Sequence, residues 1–190
     1  MHRMNHKDIP GRVFLDTCVV NFILDHSEEI HEGVAPPAHT GDRVLRDIEA
    51  LYNIFLVGQR AMWQFAISPH TYQEIAATQN PHRQYHLESW FGELWQYWRG
   101  IIHENDDLPT FIEAEDARVG LLTSSTIDAL PDLSDRVLLC DAVVYRCEIF
   151  CTRDWRTILK HRSKIKGLPL EILTPAEWWA KIQPYASLWV

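Results

Sequence analysis

The stretch VFLDTCVVNFIL, Val13 to Leu24, sets one aspartate inside an otherwise apolar run. Such a run has the composition of a buried strand, and a strand buried on both faces belongs to a sheet covered by other elements. A carboxylate in that setting is costly unless something positive or hydrogen-bonding meets it. The run therefore predicts a strand over Val13 to Leu15 that stops at Asp16.

The rest of the chain repeats the signal. FAIS, Phe65 to Ser68, reads as a second strand closed by Pro69. Before it, GDRVLRDIEALYNIFLVG places Val44, Leu45, Ile48, Leu51, Tyr52 and Phe55 at helical spacing and ends at Gly58. After Pro69 come a short helix in HTYQEIAAT and a longer one with Leu87, Trp90, Phe91, Leu94, Trp95 and Trp98 on one stripe. That period matches burial in a core or a dimer interface better than a base-stacking surface. Ser134 is placed to cap a helix beginning at Asp135, EIFCTRD reads as a strand ending near Asp154, and LEILT as a last strand before PAEWW. Repeated strand–helix alternation predicts an α/β fold, a three-layer α/β/α arrangement around a mostly parallel sheet. DHSEEIHEGVAPPAHT reads as a polar loop, and Asn105 to Asp132 gives no clear periodic signal.

A chain of 190 residues, 46% hydrophobic, suits a single domain over 1–190, with a core of about 12–178 and an N-terminal tail over 1–11. No apolar stretch approaches the ~20 residues of a membrane helix, and the N-terminus lacks the apolar centre of a signal peptide. A cytoplasmic location and no membrane partner are the expectation. Cys18, Cys140, Cys147 and Cys151 form no C-x-x-C pair and read as buried thiols in a reducing compartment. A net charge of −8, from 18 basic and 26 acidic residues, works against binding a polyanion everywhere on the surface. The basic residues nonetheless cluster at Arg153, Arg156, Lys160, Arg162, Lys164 and Lys166, which is either a local cationic track or a solvated charged helix.

In an open parallel sheet, ligands bind beyond the carboxyl ends of the strands. Asp16 and Asp154 each follow an apolar strand and fall at that edge. Two such carboxylates are best reconciled by a divalent cation, and oxygen ligands suit magnesium or manganese. An aspartyl-phosphate phosphatase is disfavoured because the second residue after Asp16 is Cys18 rather than an acid. A phospho-receiver domain would want an acidic pair near the first strand end and a lysine after the last strand, and neither is evident.

Glu74 follows the second strand on a helix, and Asp135 lies at a helix start, eighteen residues separating it from Asp154. With Thr152 two residues before that last acid, and with the segments FLDTCVV, ISPHTYQEI, SDRVLLCDAVVYRCEIFCTRD and ILTPAEW, the chain resembles the PIN-domain nucleases from about Val13 to Trp178. The resemblance implies a metal-dependent endoribonuclease that hydrolyses phosphodiester bonds of single-stranded or structured RNA with Mg2+ or Mn2+. It implies that Asp16, Glu74, Asp135 and Asp154 are both catalytic and metal-binding, with Thr17 and Thr152 supporting them by hydrogen bonds. Asp141 and Asp132 are neighbours of the third acid; Asp135 is preferred because the family spacing fits it and a helix start can face the strand ends.

Arg156, Lys160, Arg162 and Lys164 are the expected nucleic-acid contacts. Besides RNA, the expected partners are an antitoxin-like protein and a second copy of the chain. The polar segment between Leu24 and Gly41 and the tryptophan-rich helices depart from the compact toxin pattern near the substrate entrance. The alternative function is a catalytically silent PIN fold that binds protein or RNA.

Overall fold

Strand β1, Arg12–Leu15, organises the sheet: Val13, Phe14 and Leu15 are fully buried, so their backbone groups need strand partners on both sides. The computed structural model describes residues 9–76, 81–124 and 126–188, and supplies those partners. Strands β2, Gln64–Ala66, and β3, Ile149–Cys151, flank β1, and β4, Glu171–Leu173, lies beyond β3. All three pairings are parallel, with Phe14 opposite Ala66 on one side and Phe150 on the other. The Phe14 and Phe150 rings stack at 5.3 Å. The α/β expectation thus holds in its coarse form, with a four-stranded sheet that is parallel throughout. The tail expected over 1–11 falls largely on 1–8, outside the described residues.

Parallel strands require crossovers, and each here contains helix. Helices α1, Thr17–Asp25, and α2, Asp42–Ala61, join β1 to β2. Helices α3, Pro69–Ala76, α4, Pro81–Glu104, α5, Phe111–Leu122, and α6, Leu133–Val144, lead from β2 to β3. The short α7, Ile158–His161, precedes β4, and α8, Pro175–Ile182, follows it. Helix α8 packs on α2, whereas α3 packs on α4 and α6, and α5 on α6, which is compatible with helices on both faces of the sheet. Among the described residues no helix is long and apolar enough to cross a membrane.

Strand β1 stops before Asp16 as expected, but several other features differ from the sequence expectation. The apolar run from Val13 splits at Asp16 into strand and then helix α1, whose Val19, Val20, Phe22 and Ile23 are buried. A short buried strand and a buried helix segment have the same apolar composition. Helix α2 continues past Gly58 to Ala61, ending at Met62 in the left-handed conformation. The polar loop contains one π-helical turn, Glu28–Glu32, that buries Ile30 and closes at Gly33, whose φ of 69° suits a residue without Cβ. Helix α6 begins at Leu133, not Asp135: Asp132 is the cap, and its carboxylate accepts from the Ser134 N–H at 2.9 Å.

The region from Asn105 to Asp132 holds α5, started by a reciprocal cap between Thr110 and Glu113. Its fully buried residues are only Ala114 and Arg118, with Phe111, Leu121 and Leu122 half-buried against the core, so its apolar stripe is short and interrupted by a charge. The aromatic stripe of α4 is core: Leu87, Phe91 and Trp98 are buried, and Trp90, Leu94 and Trp95 pack against them.

Candidate functional site

The register that places Leu15 opposite Cys151 carries the chain on to Asp16 and Thr152 at the carboxyl edge of the sheet. The Asp16 N–H donates to the Cys151 carbonyl at 3.1 Å, fixing the backbone there. Asp16 stands at the cap position of α1, yet its carboxylate makes no capping bond to the helix backbone. Instead Oδ2 accepts from the Thr152 hydroxyl at 2.5 Å and the Cys18 thiol at 2.8 Å. A carboxylate that forgoes the usual cap bond is being held for another purpose or for packing.

Four acids line one cavity of about 500 Å3 at this edge: Asp16, Glu74, Asp135 and Asp154, joined by Thr17, Cys18, Asn21, Arg153, Trp155 and Arg156. Each acid arrives on a different element. Asp16 ends β1, Glu74 lies on α3, Asp135 on the first turn of α6, and Asp154 on the turn after β3. Ser134 donates its hydroxyl to Glu74 Oε1, which ties α6 to α3. Asp154 Oδ1 accepts from the Arg156 N–H at 2.8 Å and the Thr157 N–H at 3.0 Å, and Oδ2 accepts from the Thr157 hydroxyl. The Thr152 hydroxyl, while donating to Asp16, accepts from the Asp154 N–H at 3.0 Å, so one threonine links two of the acids.

The electrostatics divide the set. Burial pushes Asp16 from 3.8 to about 6; hydrogen bonds from Cys18 and Thr152 oppose the rise, and the charges of Asp135 and Glu74 add to it. Asp135 is likewise pushed to about 6, by burial first, against the influence of Thr157 and with the repulsion of Asp154, Asp132 and Glu74. For Asp154, burial is outweighed by the Thr157 and Arg156 hydrogen bonds, and its carboxyl lies below the ordinary value.

Hydrogen bonding leaves gaps at the same place. The Thr157 hydroxyl donates to Asp154, and Asp135 Oδ2 is buried with no partner. Thr17 Oγ1 and Asn21 Oδ1, on the adjoining face of α1, are also buried and unpartnered. These oxygens suit a hard divalent cation and its waters. No group of three or more His, Cys, Asp or Glu side chains among the described residues is already drawn together as a metal cage. In donor chemistry the acids fit magnesium or manganese; a bound ion would have to draw them closer.

Of the four basic residues expected along nucleic acid, Arg156 lines the cavity. Arg162 is instead held by Glu177, with both nitrogen–oxygen distances at 2.7 Å, and donates to the Ile172 carbonyl at 3.3 Å. Its guanidinium thereby closes α8 onto β4, and neither it, Lys160 nor Lys164 belongs to the acidic cavity. Asp141, the neighbour weighed against Asp135, is in the core, where Arg118 meets it at 2.9 Å and Ser68 donates to its other oxygen.

Sequence reasoning missed Cys18, Asn21 and Trp155 as cavity residues, and it read Arg153 only as part of a basic run. Asn21 was recoverable in principle, since it lies one helical turn after Thr17. Arg153 owes its position to tertiary contacts: it meets the buried Asp47 at 2.8 Å and lies 3.5 Å from the centre of the Phe22 ring. No family model, curated protein or solved structure matches this chain.

Proposed function

We propose that this chain is a PIN-like, metal-dependent nuclease with a three-layer α/β/α core, hydrolysing phosphodiester bonds of RNA. The observation that carries the proposal is the convergence of Asp16, Glu74, Asp135 and Asp154, from four separate elements, on one cavity at the carboxyl edge of a parallel sheet. Burial, with neighbouring charge, raises Asp16 and Asp135, and carboxylates placed at such a cost are characteristic of sites where a cation or a protonation step uses them. The ordered set of acids and the resemblance described above support the cation as that use.

Magnesium or manganese, when bound, would supply Lewis acidity and lower the pKa of a bound water. Asp16 and Asp154 are the inner anchors, the first fixed by Thr152 and Cys18 and the second by Thr157 and the Arg156 backbone. Asp135, with its free buried oxygen, and Glu74, steadied by Ser134, complete the donor set. Thr152 keeps the Asp16 and Asp154 segments in register, and the unpartnered Thr17 hydroxyl is available to a bound water. Arg156 offers its positive charge to a phosphate entering the cavity.

The test is cleavage of single-stranded RNA with manganese, using Asp154→Asn alongside the wild type. Loss of at least ~100-fold in rate, with an unchanged circular-dichroism spectrum, is expected for removal of a main electrostatic group. Equal rates in the folded variant would remove the nuclease assignment. No metal-dependent cleavage by the wild type would leave the silent, binding-only fold.

A further inference from the structure

Among the described tryptophans, Trp155 is the exposed one, 42% accessible, and it stands on the wall of the acidic cavity directly after Asp154. An exposed indole on a turn would ordinarily move freely, yet this one is held. The Arg43 guanidinium, in the first turn of α2, lies 4.3 Å from the ring centre. One helical turn further along α2, Asp47 binds Arg153, so two contacts from the same helix face grip residues 153 and 155. The arginines differ in availability. Arg153 is neutralised by Asp47, whereas Arg43 has no ion pair among the described residues and lies against the indole, and Arg156 lines the same cavity, where its charge helps hold the Asp154 carboxyl down.

We infer that Trp155, backed by Arg43, is a base-stacking platform that seats an unpaired base of single-stranded nucleic acid beside the phosphate held in the acidic cavity. The inference rests on the nuclease reading for the identity of that phosphate. Its physical basis is separate. A tryptophan presents a broad π surface to any base, a guanidinium stacked on the ring restrains its rotamers before the ligand arrives, and nearby arginines offset a cavity that by itself repels phosphate. A base paired within a duplex has both faces stacked and cannot use the platform, which selects single strands. The adjacency of Trp155 to Asp154 sets the location: the stacked base lies next to the scissile bond, not at a remote anchor.

The experiment measures fluorescence anisotropy of a labelled short oligouridylate in chelator at low salt, where no cleavage occurs. Trp155→Ala should weaken binding by about 5- to 100-fold, the range for loss of one base stack, and Trp155→Phe should stay within about threefold of wild type. An abasic nucleotide walked along the oligonucleotide should weaken wild type at one position and leave Trp155→Ala unaffected there. A duplex of the same sequence should show no dependence on residue 155. The inference is overturned if folded Trp155→Ala binds within about twofold of wild type, if no abasic position is specific to the indole, or if the wild type binds no oligonucleotide. Because the readout needs neither metal nor turnover, a wild type that does not cleave, or one that cleaves no faster than Asp154→Asn, sinks the hydrolytic reading without deciding this one.

Discussion

Replacing Asp16 with asparagine should stabilise the metal-free protein at neutral pH while removing its response to manganese. The Asp16 carboxyl is 4% exposed and raised from 3.8 to about 6, chiefly by burial. At 1.36 kcal/mol per unit, holding that group ionised in the folded state costs about 3 kcal/mol at neutral pH. The sign follows from the folded state binding the proton more tightly. Below about pH 3.8 the group is protonated whether folded or unfolded and nothing is lost; between about 3.8 and 6 stability falls as pH rises; above 6 the whole penalty is present.

Asparagine avoids the ionisation and keeps the essential contacts, since Thr152 and Cys18 both donate to the same oxygen, Oδ2. Its amide group adds two donors that need acceptors, and Asp135 and Glu74 are the nearby charges. The net gain should be about 1–3 kcal/mol, or roughly 2–10 °C in melting temperature for a chain of this size. Manganese at about 100 times its dissociation constant should stabilise the wild type by about 2.7 kcal/mol and the variant by much less. Thermal melts in chelator from about pH 4 to pH 8, repeated at neutral pH with manganese, make the comparison. Parallel stability curves for the two proteins across that range would refute the claim that Asp16 is held ionised at a cost. An undiminished manganese shift in the variant would remove Asp16 from the metal site.

Two further substitutions test the roles of charges outside the cavity. Asp141→Leu leaves Arg118, which is 6% exposed, with only the exposed Glu115 as an ionic partner and should cost about 2–4 kcal/mol in chemical denaturation, whereas Asp141→Leu with Arg118→Met should recover much of that loss; a double variant no better than the single would show that the pair is not the source. Arg162→Ala should leave oligonucleotide affinity and its salt dependence unchanged, because that guanidinium is committed to Glu177. The Glu177 carboxyl is held near 2, chiefly by Arg162, so the stability this pair contributes is present above about pH 4.5 and lost as pH falls toward 2. Since both side chains are more than a third exposed, the effect should be at most about 1 kcal/mol, and a loss of RNA affinity in Arg162→Ala would return the arginine to the nucleic-acid surface.

Local pattern determined much of this protein. Apolar runs bounded by Pro69 or ended by an acid specified strands, of which the central β1 and β3 are buried on both faces, and the 3.6-residue period specified α2 and α4, because each depends on neighbours in sequence. Asp16 and Asp154 could be singled out because strand ends have a defined direction relative to a parallel sheet, whereas Glu74 and Asp135 joined them only through the resemblance to the PIN-domain nucleases. That same reasoning misplaced the start of α6: serine and aspartate are both good caps, and only the geometry at Leu133 shows that Asp132 does the capping and frees the Ser134 hydroxyl for Glu74.

Tertiary structure alone decided which charges are spoken for. In sequence, Arg118, Arg153, Arg156 and Arg162 are equivalent cations, and Asp135 and Asp141 are acids on one helix. The fold gives Asp141 to Arg118, Asp47 to Arg153 and Glu177 to Arg162, across 23, 106 and 15 positions of chain. It leaves Asp135 with an unpartnered oxygen and sets Trp155 against Arg43 from another element. Burial and partnership at each of these residues depend on elements far away along the chain, so no window of sequence contains them.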